Sequence, residues 1–376
     1  MGASVKPHIV LSGVNLMDMG PLAVFREALT SLAETHGDRY DIVALVHRKS
    51  LFDTPGVTYF EFPEVKSSWL RRLRFEYADC WQLSKKLRPE LWLSMHDMTP
   101  NVKAKCQAVY CHNPSIFHRF SLNEARLDWK FGLFTLFYRF LYRINLKKNK
   151  FVIVQQDWMR DVFKVRYRLD NVVVAHPGMK SFDGLLDGRR AKDNGKYCFF
   201  YPAFPRVFKN FEVIFEAARL LEHQGFDNFK VWLTTDAVMN NYARKIAREY
   251  VDVKSVECLG PLPRDQVFKR YAEADCLLFP SKLETWGMPI TEFKATGKPI
   301  LAADLPYAHE TVGDYDKVAF FDRANASELA SLMKSAVLGL PVFGKASAAP
   351  IAPLFSRNWE ELWCILLEPS DASSPR

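Results

Sequence analysis

Two carboxylates, Glu284 and Glu292, stand eight residues apart in the stretch PSKLETWGMPITEF. A pair of acids can serve as acid and base on a scissile glycosidic bond. It can also accept hydrogen bonds from the hydroxyls of a bound ligand. The local pattern favours holding over cutting. CLLFP reads as a β-strand ending at Pro280, which puts Glu284 on the loop at the strand's C-terminal end. Gly287, Met288 and Pro289 then turn the chain into a helix, with Pro289 where its missing N–H is no loss. Gly297 suits the left-handed end of that helix, and Glu292 lies about one turn into it. Backbone N–H groups near 287–290 make a place for phosphate. Hydroxyl acceptors beside an anion-friendly turn suit a nucleotide sugar better than a hydrolase. A solvated helix face is the bland alternative for Glu292.

The elements that must position these residues alternate along the whole chain. HIVLSGV, YDIVALV, ELWLSMH, CQAVYCHN, FVIVQQ and VVVAHPG read as strands of a first series, with helices between them. SFDGLLDGRRAKDNGK, about 181–196, is polar, Gly-rich and without period, and is the expected linker. YCFFYPA, KVWLTT, VECLG, DCLLFPS and KPILAAD then form a second series. The expected fold class is therefore α/β, with two Rossmann-like doubly wound domains, 1–180 and 197–345, facing across a cleft. Residues 346–376 are expected to be a tail whose short helix packs back toward the first domain.

Bulk properties narrow the function classes. The chain has 376 residues, is 48% hydrophobic and carries a net charge of +8. Residues 1–180 hold 27 Lys and Arg against 17 Asp and Glu; the remainder holds 24 against 26. The basic half is expected to face something anionic, a membrane surface or a phosphorylated acceptor, with a generic basic surface as the alternative. Nucleic acid is disfavoured because no recognised module accompanies the charge. Seven cysteines without a C-x-x-C pair read as reduced thiols of a cytoplasmic protein. HIVLSGV is too short for a secretory core, and FGLFTLFYRFLYRINL is interrupted by Arg139 and Arg143, so no bilayer span is expected. No Asp-x-Asp run or His/Cys/Asp cluster suggests a metal site.

Read as one helix over 131–150, Arg139, Arg143, Lys147 and Lys150 share about an 80° arc at about 100° per residue, with Phe and Leu around the rest. That is the pattern of a helix lying on an anionic membrane surface. The loop SGVNLMDMGP offers Gly13 and Gly20 for close backbone approach to phosphate or acceptor; it is not a G-x-G-x-x-G fingerprint.

The stretch FPSKLETWGMPITEFKATGKPILAAD resembles the nucleotide-binding signature of GT-B glycosyltransferases of family four, with its Glu-x7-Glu pair. GPLPRDQVFKRYAEADCLLFPS, HETVGD and FYPAFPRVFKNFEVIFEA resemble its flanking segments, and YCHNPSIF and VVVAHPGM match more loosely. The resemblance implies a retaining transferase that moves a sugar from a nucleotide diphosphate donor to a hydroxyl of a glycan or lipid-linked acceptor, without a metal, in cell-surface polysaccharide assembly on the cytoplasmic membrane face. It implies that Glu292 binds ribose and Glu284 the donor sugar. Backbone around Gly287, Met288 and Pro289 would meet sugar or phosphate, with Thr285 and Trp286 in the donor pocket. Lys209 and Arg206 would neutralise the leaving diphosphate, and His112, or its neighbour His118, would donate a hydrogen bond to donor sugar or phosphate. Two positions depart from the pattern: Phe204 stands where the family has Arg, and Thr285 where Gly is common. A GT-B-shaped nucleotide-sugar epimerase and a non-catalytic sugar-nucleotide-binding subunit are the rival readings.

Overall fold

The computed structural model describes residues 6–17, 19–117, 129–178 and 195–367. In chain order the elements are β1 (His8–Ser12), α1 (Met19–His36), β2 (Asp41–Val46), β3 (Val57–Glu61), α2 (Trp69–Arg74), α3 (Cys80–Leu87), β4 (Leu91–Ser94), β5 (Cys106–Cys111), α4 (Trp129–Leu141), β6 (Phe151–Val154), α5 (Asp157–Tyr167) and β7 (Val172–Ala175). They continue as β8 (Tyr197–Tyr201), α6 (Phe211–His223), β9 (Phe229–Leu233), α7 (Asn241–Glu249), β10 (Val256–Cys258), α8 (Arg264–Glu273), β11 (Cys276–Phe279), α9 (Met288–Lys294), β12 (Ile300–Ala303), α10 (Pro306–Val312), β13 (Val318–Phe321) and α11 (Ala326–Val337). The last two are β14 (Phe355–Ser356) and α12 (Trp359–Leu367).

Two compact units result. One comprises Met1–Ile116, Thr135–Met179 and Ile351–Arg376, the other Phe117–Phe134 and Lys180–Pro350. The first holds an eight-stranded sheet in the order β14-β7-β6-β5-β4-β1-β2-β3, the second a six-stranded sheet in the order β10-β9-β8-β11-β12-β13. Every strand pairing in both sheets is parallel. Parallel strands covered on both faces need apolar residues on both, which is why they read as unbroken hydrophobic runs. In β1, Ile9 and Leu11 join one buried cluster while Val10, between them, joins the cluster on the opposite face. In α6, Phe211, Ile214, Phe215, Ala218 and Leu221 recur at helical spacing and are buried. The chain's last elements belong to the first sheet: β14 pairs with β7, and Trp363 of α12 is buried in the α1 cluster with its indole N–H donating to Ser31 Oγ at 3.2 Å. All seven cysteines are free thiols, five of them buried.

The first unit also buries charge. Between α2 and α3 the helix widens into a π-turn over Phe75–Asp79, which delivers Glu76 to the interior. Its carboxylate faces the Arg72 guanidinium at 2.8 Å and lies 3.6 Å from His96 Nε2, which is 3.1 Å from Ser12 Oγ. Burial pushes the Glu76 carboxyl up to about 7, against the pull of Arg72, and holds the His96 imidazole well below its usual value. A carboxyl that keeps its proton in the folded state contributes stability that is full below about pH 4.5 and is lost as pH rises through about 7. Urea unfolding at pH 5 and pH 8 checks this. Relative to Glu76→Gln, the wild type should lose about 2–3 kcal/mol between the two. Parallel pH dependences in the two proteins would refute it.

Candidate active site

In the second sheet the strand order reverses at β8, with β9 on one side and β11 on the other. A reversal of strand order is where open parallel sheets usually bind ligands, beyond the C-terminal ends of the strands. Lys209 follows β8 and Glu284 follows β11. Backbone bonds lace the two loops together before any side chain meets. The Lys282 N–H donates to Phe208 O at 2.7 Å, and Ser281 Oγ to the same carbonyl at 3.3 Å. Asn210, left-handed at φ 58°, sends its amide to Pro280 O at 3.1 Å and to Arg323 O at 2.9 Å. Tyr201 OH donates to Lys209 O at 3.0 Å. On this frame Lys209 Nζ donates to Glu284 Oε1 in an ion pair whose side chains are only 19% and 14% exposed.

Arg206 is one turn earlier on the same loop. Its carbonyl accepts from the Lys209 N–H at 2.8 Å, and its guanidinium lies over the Phe204 ring at 5.2 Å. Phe204, which replaces the arginine of the resembled pattern, thus carries another one.

Glu292 points inward from α9 and is 6% exposed. Its Oε1 accepts from Arg264 at 2.9 Å and its Oε2 from Tyr271 OH at 2.9 Å. Burial raises its carboxyl; the Arg264 charge and the Tyr271 and Arg264 hydrogen bonds pull it back. Sequence reasoning missed both partners. Their spacing was a usable signal, because residues seven apart on α8 share a helix face. Between the two glutamates, Thr285 is partly exposed while the Trp286 indole is buried and donates to Thr291 Oγ1 at 2.8 Å. The Trp286 carbonyl is also engaged, accepting from Thr311 Oγ1. Gly287, at φ 91°, takes a conformation that disfavours other residues, and Met288 and Pro289 open α9, both partly exposed. The Ile290 N–H, expected among the free amides, donates to Gly287 O at 2.9 Å.

The first sheet reverses at β1, between β2 and β4. Gly13 follows β1, and an added Cβ there would lie 2.5 Å from the Phe25 ring, so packing alone requires glycine. Gly20 meets no such limit. His112 follows β5, its ring 4.6 Å from that of Tyr110. The ring bonds the Met95 carbonyl, Nε2 is enclosed with no partner among the described residues, and burial lowers the imidazole to about 4. A neutral ring that donates from Nδ1 leaves Nε2 as an acceptor. His118 lies outside the described residues.

The single basic helix over 131–150 is corrected. α4 ends at Leu141, Tyr142 is buried, and Asn145 is left-handed at φ 58°. Lys147 sits in a 3-10 turn, Leu146–Lys148, and the Lys150 N–H already donates to Gln107 O at 2.7 Å at the head of β6. Arg139, Arg143, Lys147 and Lys150 thus follow a bent path, and the 80° arc does not apply. Among the described residues no cluster of three or more His, Cys, Asp or Glu could hold a metal ion, and no helix is long and apolar enough to cross a membrane.

Residues 186–339 match the family model of glycosyl transferases, group 1. No curated protein matches the chain. A glycosyltransferase from Rickettsia africae ESF-5 superposes with a TM-score of 0.66 at 14% identity, covering 89% of each chain. WaaG, a glycosyltransferase involved in lipopolysaccharide biosynthesis, gives 0.64 at 12% identity over 88% of this chain and 90% of its own. Anabaena Alr3699/HepE, solved in complex with UDP and glucose, gives 0.61 at 14% identity over 89% and 92%. Residues 186–339 thus form a region similar to group 1 glycosyl transferases, and the chain as a whole has the GT-B fold.

Proposed function

We propose that this chain transfers a sugar from a nucleoside diphosphate donor to a hydroxyl of a glycan or lipid-linked acceptor, with retention at the anomeric carbon, in cell-surface polysaccharide assembly. The observation that carries the reading is the Lys209–Glu284 pair at the switch point of the second sheet, with the buried Glu292 beyond it on α9. The complexes of Anabaena Alr3699/HepE with UDP and with UDP-glucose support the donor class. A diphosphate offers the Lys209 ammonium stronger charge-assisted acceptors than one carboxylate does, so it can replace Glu284 as the partner of Lys209. Glu284 is then released to accept from the hydroxyls of the sugar. Glu292 keeps Tyr271 on its inner oxygen and has lone pairs left on the other for the ribose diol. Arg264, 65% exposed, is the partner that can yield.

In the transfer itself the bond from the anomeric carbon to the diphosphate oxygen breaks. The acceptor oxygen bonds to the same face, and its proton passes to the departing diphosphate. Lys209 and Arg206 meet the charge that develops on the leaving group. Thr285, bulkier than the glycine common at its position, narrows the choice of sugar.

Membrane association is assigned to the first unit. Trp69 and Leu70 of α2 and Leu136, Phe137, Phe140 and Ile144 of α4 and its exit are exposed, and the Trp69 and Phe137 rings meet edge to face at 5.3 Å. Thr135–Lys150 contains five cations and no carboxylate. Arg71 and Arg74 on α2 face Glu64 and Asp79. Apolar side chains among cations suit the surface of an anionic bilayer.

Incubation with a panel of nucleotide sugars, read by release of nucleoside diphosphate, tests the transfer and names the base. Silence across the panel from folded protein would refute it. With the donor so identified, Lys209→Ala should lower kcat about 100-fold while the donor KM changes little. A loss confined to acceptor KM would count against the phosphate role. Glu292→Ala should weaken binding of the nucleoside diphosphate about tenfold or more by calorimetry, and unchanged affinity would remove the ribose role. Replacing Phe137 and Phe140 with Ser and Arg143 and Lys147 with Glu should abolish cosedimentation with phosphatidylglycerol vesicles. Undiminished binding would assign those residues to another purpose.

A further inference from the structure

Asp97 is the residue of the first unit whose geometry asks for an explanation. It follows β4, is 8% exposed, and has a φ of 73°, in the left-handed region that few residues other than glycine enter. Backbone strain of this kind amounts to about 1–3 kcal/mol and persists where surrounding structure enforces it. Here one carboxylate oxygen accounts for it. Oδ1 accepts from the His112 N–H at 2.6 Å, the Asn113 N–H at 3.0 Å and the Tyr142 hydroxyl at 2.6 Å. The Asp97 N–H donates back to Tyr110 O at 3.2 Å. Tyr142 OH also lies 3.4 Å from Asn113 O. The same junction is tied again further on, where Asn149 donates to Thr99 Oγ1 at 2.8 Å and Asn145 to Asn101 Oδ1 at 3.1 Å. The loop after β4, the turn after β5 and the exit of α4 form one block.

We propose that Asp97 is a positioning residue for sugar transfer: through Oδ1 it fixes the His112–Asn113 turn, sets where His112 presents Nε2, and couples that turn through Tyr142 to the exit of α4. The proposal rests on the reading of His112 as a residue that touches substrate. Only the ionised carboxylate can accept from all three donors at full strength. Burial raises the Asp97 carboxyl, and the Tyr142, His112 and Asn113 hydrogen bonds oppose that rise. Arg72 also favours the ionised form, while Cys111, Tyr138, Tyr142 and His112 are the other titratable groups around it. Removing the Tyr142 hydroxyl therefore moves Asp97 protonation to higher pH.

The test is a cycle of Tyr142→Phe, His112→Ala and the double variant, assayed with the donor that the panel identifies, beside amide exchange of the 112–113 turn. Tyr142→Phe should accelerate that exchange and lower kcat about tenfold with donor KM within about twofold, and its acid limb should move up in pH. In the His112→Ala background it should change kcat less than about twofold, because both act through one group. Asp97→Asn, which keeps an acceptor and tolerates the left-handed backbone, should fold like the wild type and retain more kcat than Asp97→Ala. Unchanged exchange and kcat in Tyr142→Phe would overturn the proposal, as would a loss undiminished in the His112→Ala background. A His112→Ala enzyme with full kcat would overturn the reading of His112 itself, and the role of Asp97 with it.

Discussion

In the second unit two opposite charges from separate loops rest on each other. Lys209 and Glu284 are 75 residues apart in sequence, and neither is deeply buried. Had they been fully enclosed, separating them would strand a charge at a cost of several kcal/mol, and no ligand could exchange with either. Had they been fully exposed, the pair would carry almost no positional information. Their positions come from neutral backbone bonds instead, from Lys282 to Phe208 and from Asn210 to Pro280. The backbone thus sets where the two loops lie, and the charged ends meet on that frame.

The sheets were legible because parallel strands covered on both faces leave continuous apolar runs, and β1, β5, β8 and β11 are such runs. Glu284 and Glu292 were legible because a strand end, a glycine turn and a proline helix start set their surroundings locally. The pieces that escaped are those whose cause lies far along the chain. β14 has two residues and exists because β7 offers it an edge. The early end of α4 is set by Tyr142 reaching a carboxylate 45 residues away, so extending the helical period to Lys150 gave an arc the backbone does not follow. The ion pair between Lys209 and Glu284 has the same character: each residue was found, and their meeting was not. Arg264 and Tyr271 sit between these cases, since their common helix face was visible but their target was not.

Three buried carboxylates show how the two units treat charge. Glu76 has one close cation and is pushed up to about 7. Asp97 has three hydrogen-bond donors on one oxygen, and Glu292 has a tyrosine and a largely exposed arginine on opposite oxygens. A protein selected for stability alone would place apolar groups at such positions, since well-packed hydrophobic residues are often as stabilising as a buried ion pair. Asp97 instead follows β4, and Glu292 lies on α9, the helix after β11, both strands being next to the switch points of their sheets. Glu76 reaches the same region of the first sheet through His96 and Ser12. Hydrophobic residues fill the strands themselves, and the desolvated acids stand outside them, Asp97 after a strand and Glu76 and Glu292 on helical segments, each with a partner that offsets the cost of burial.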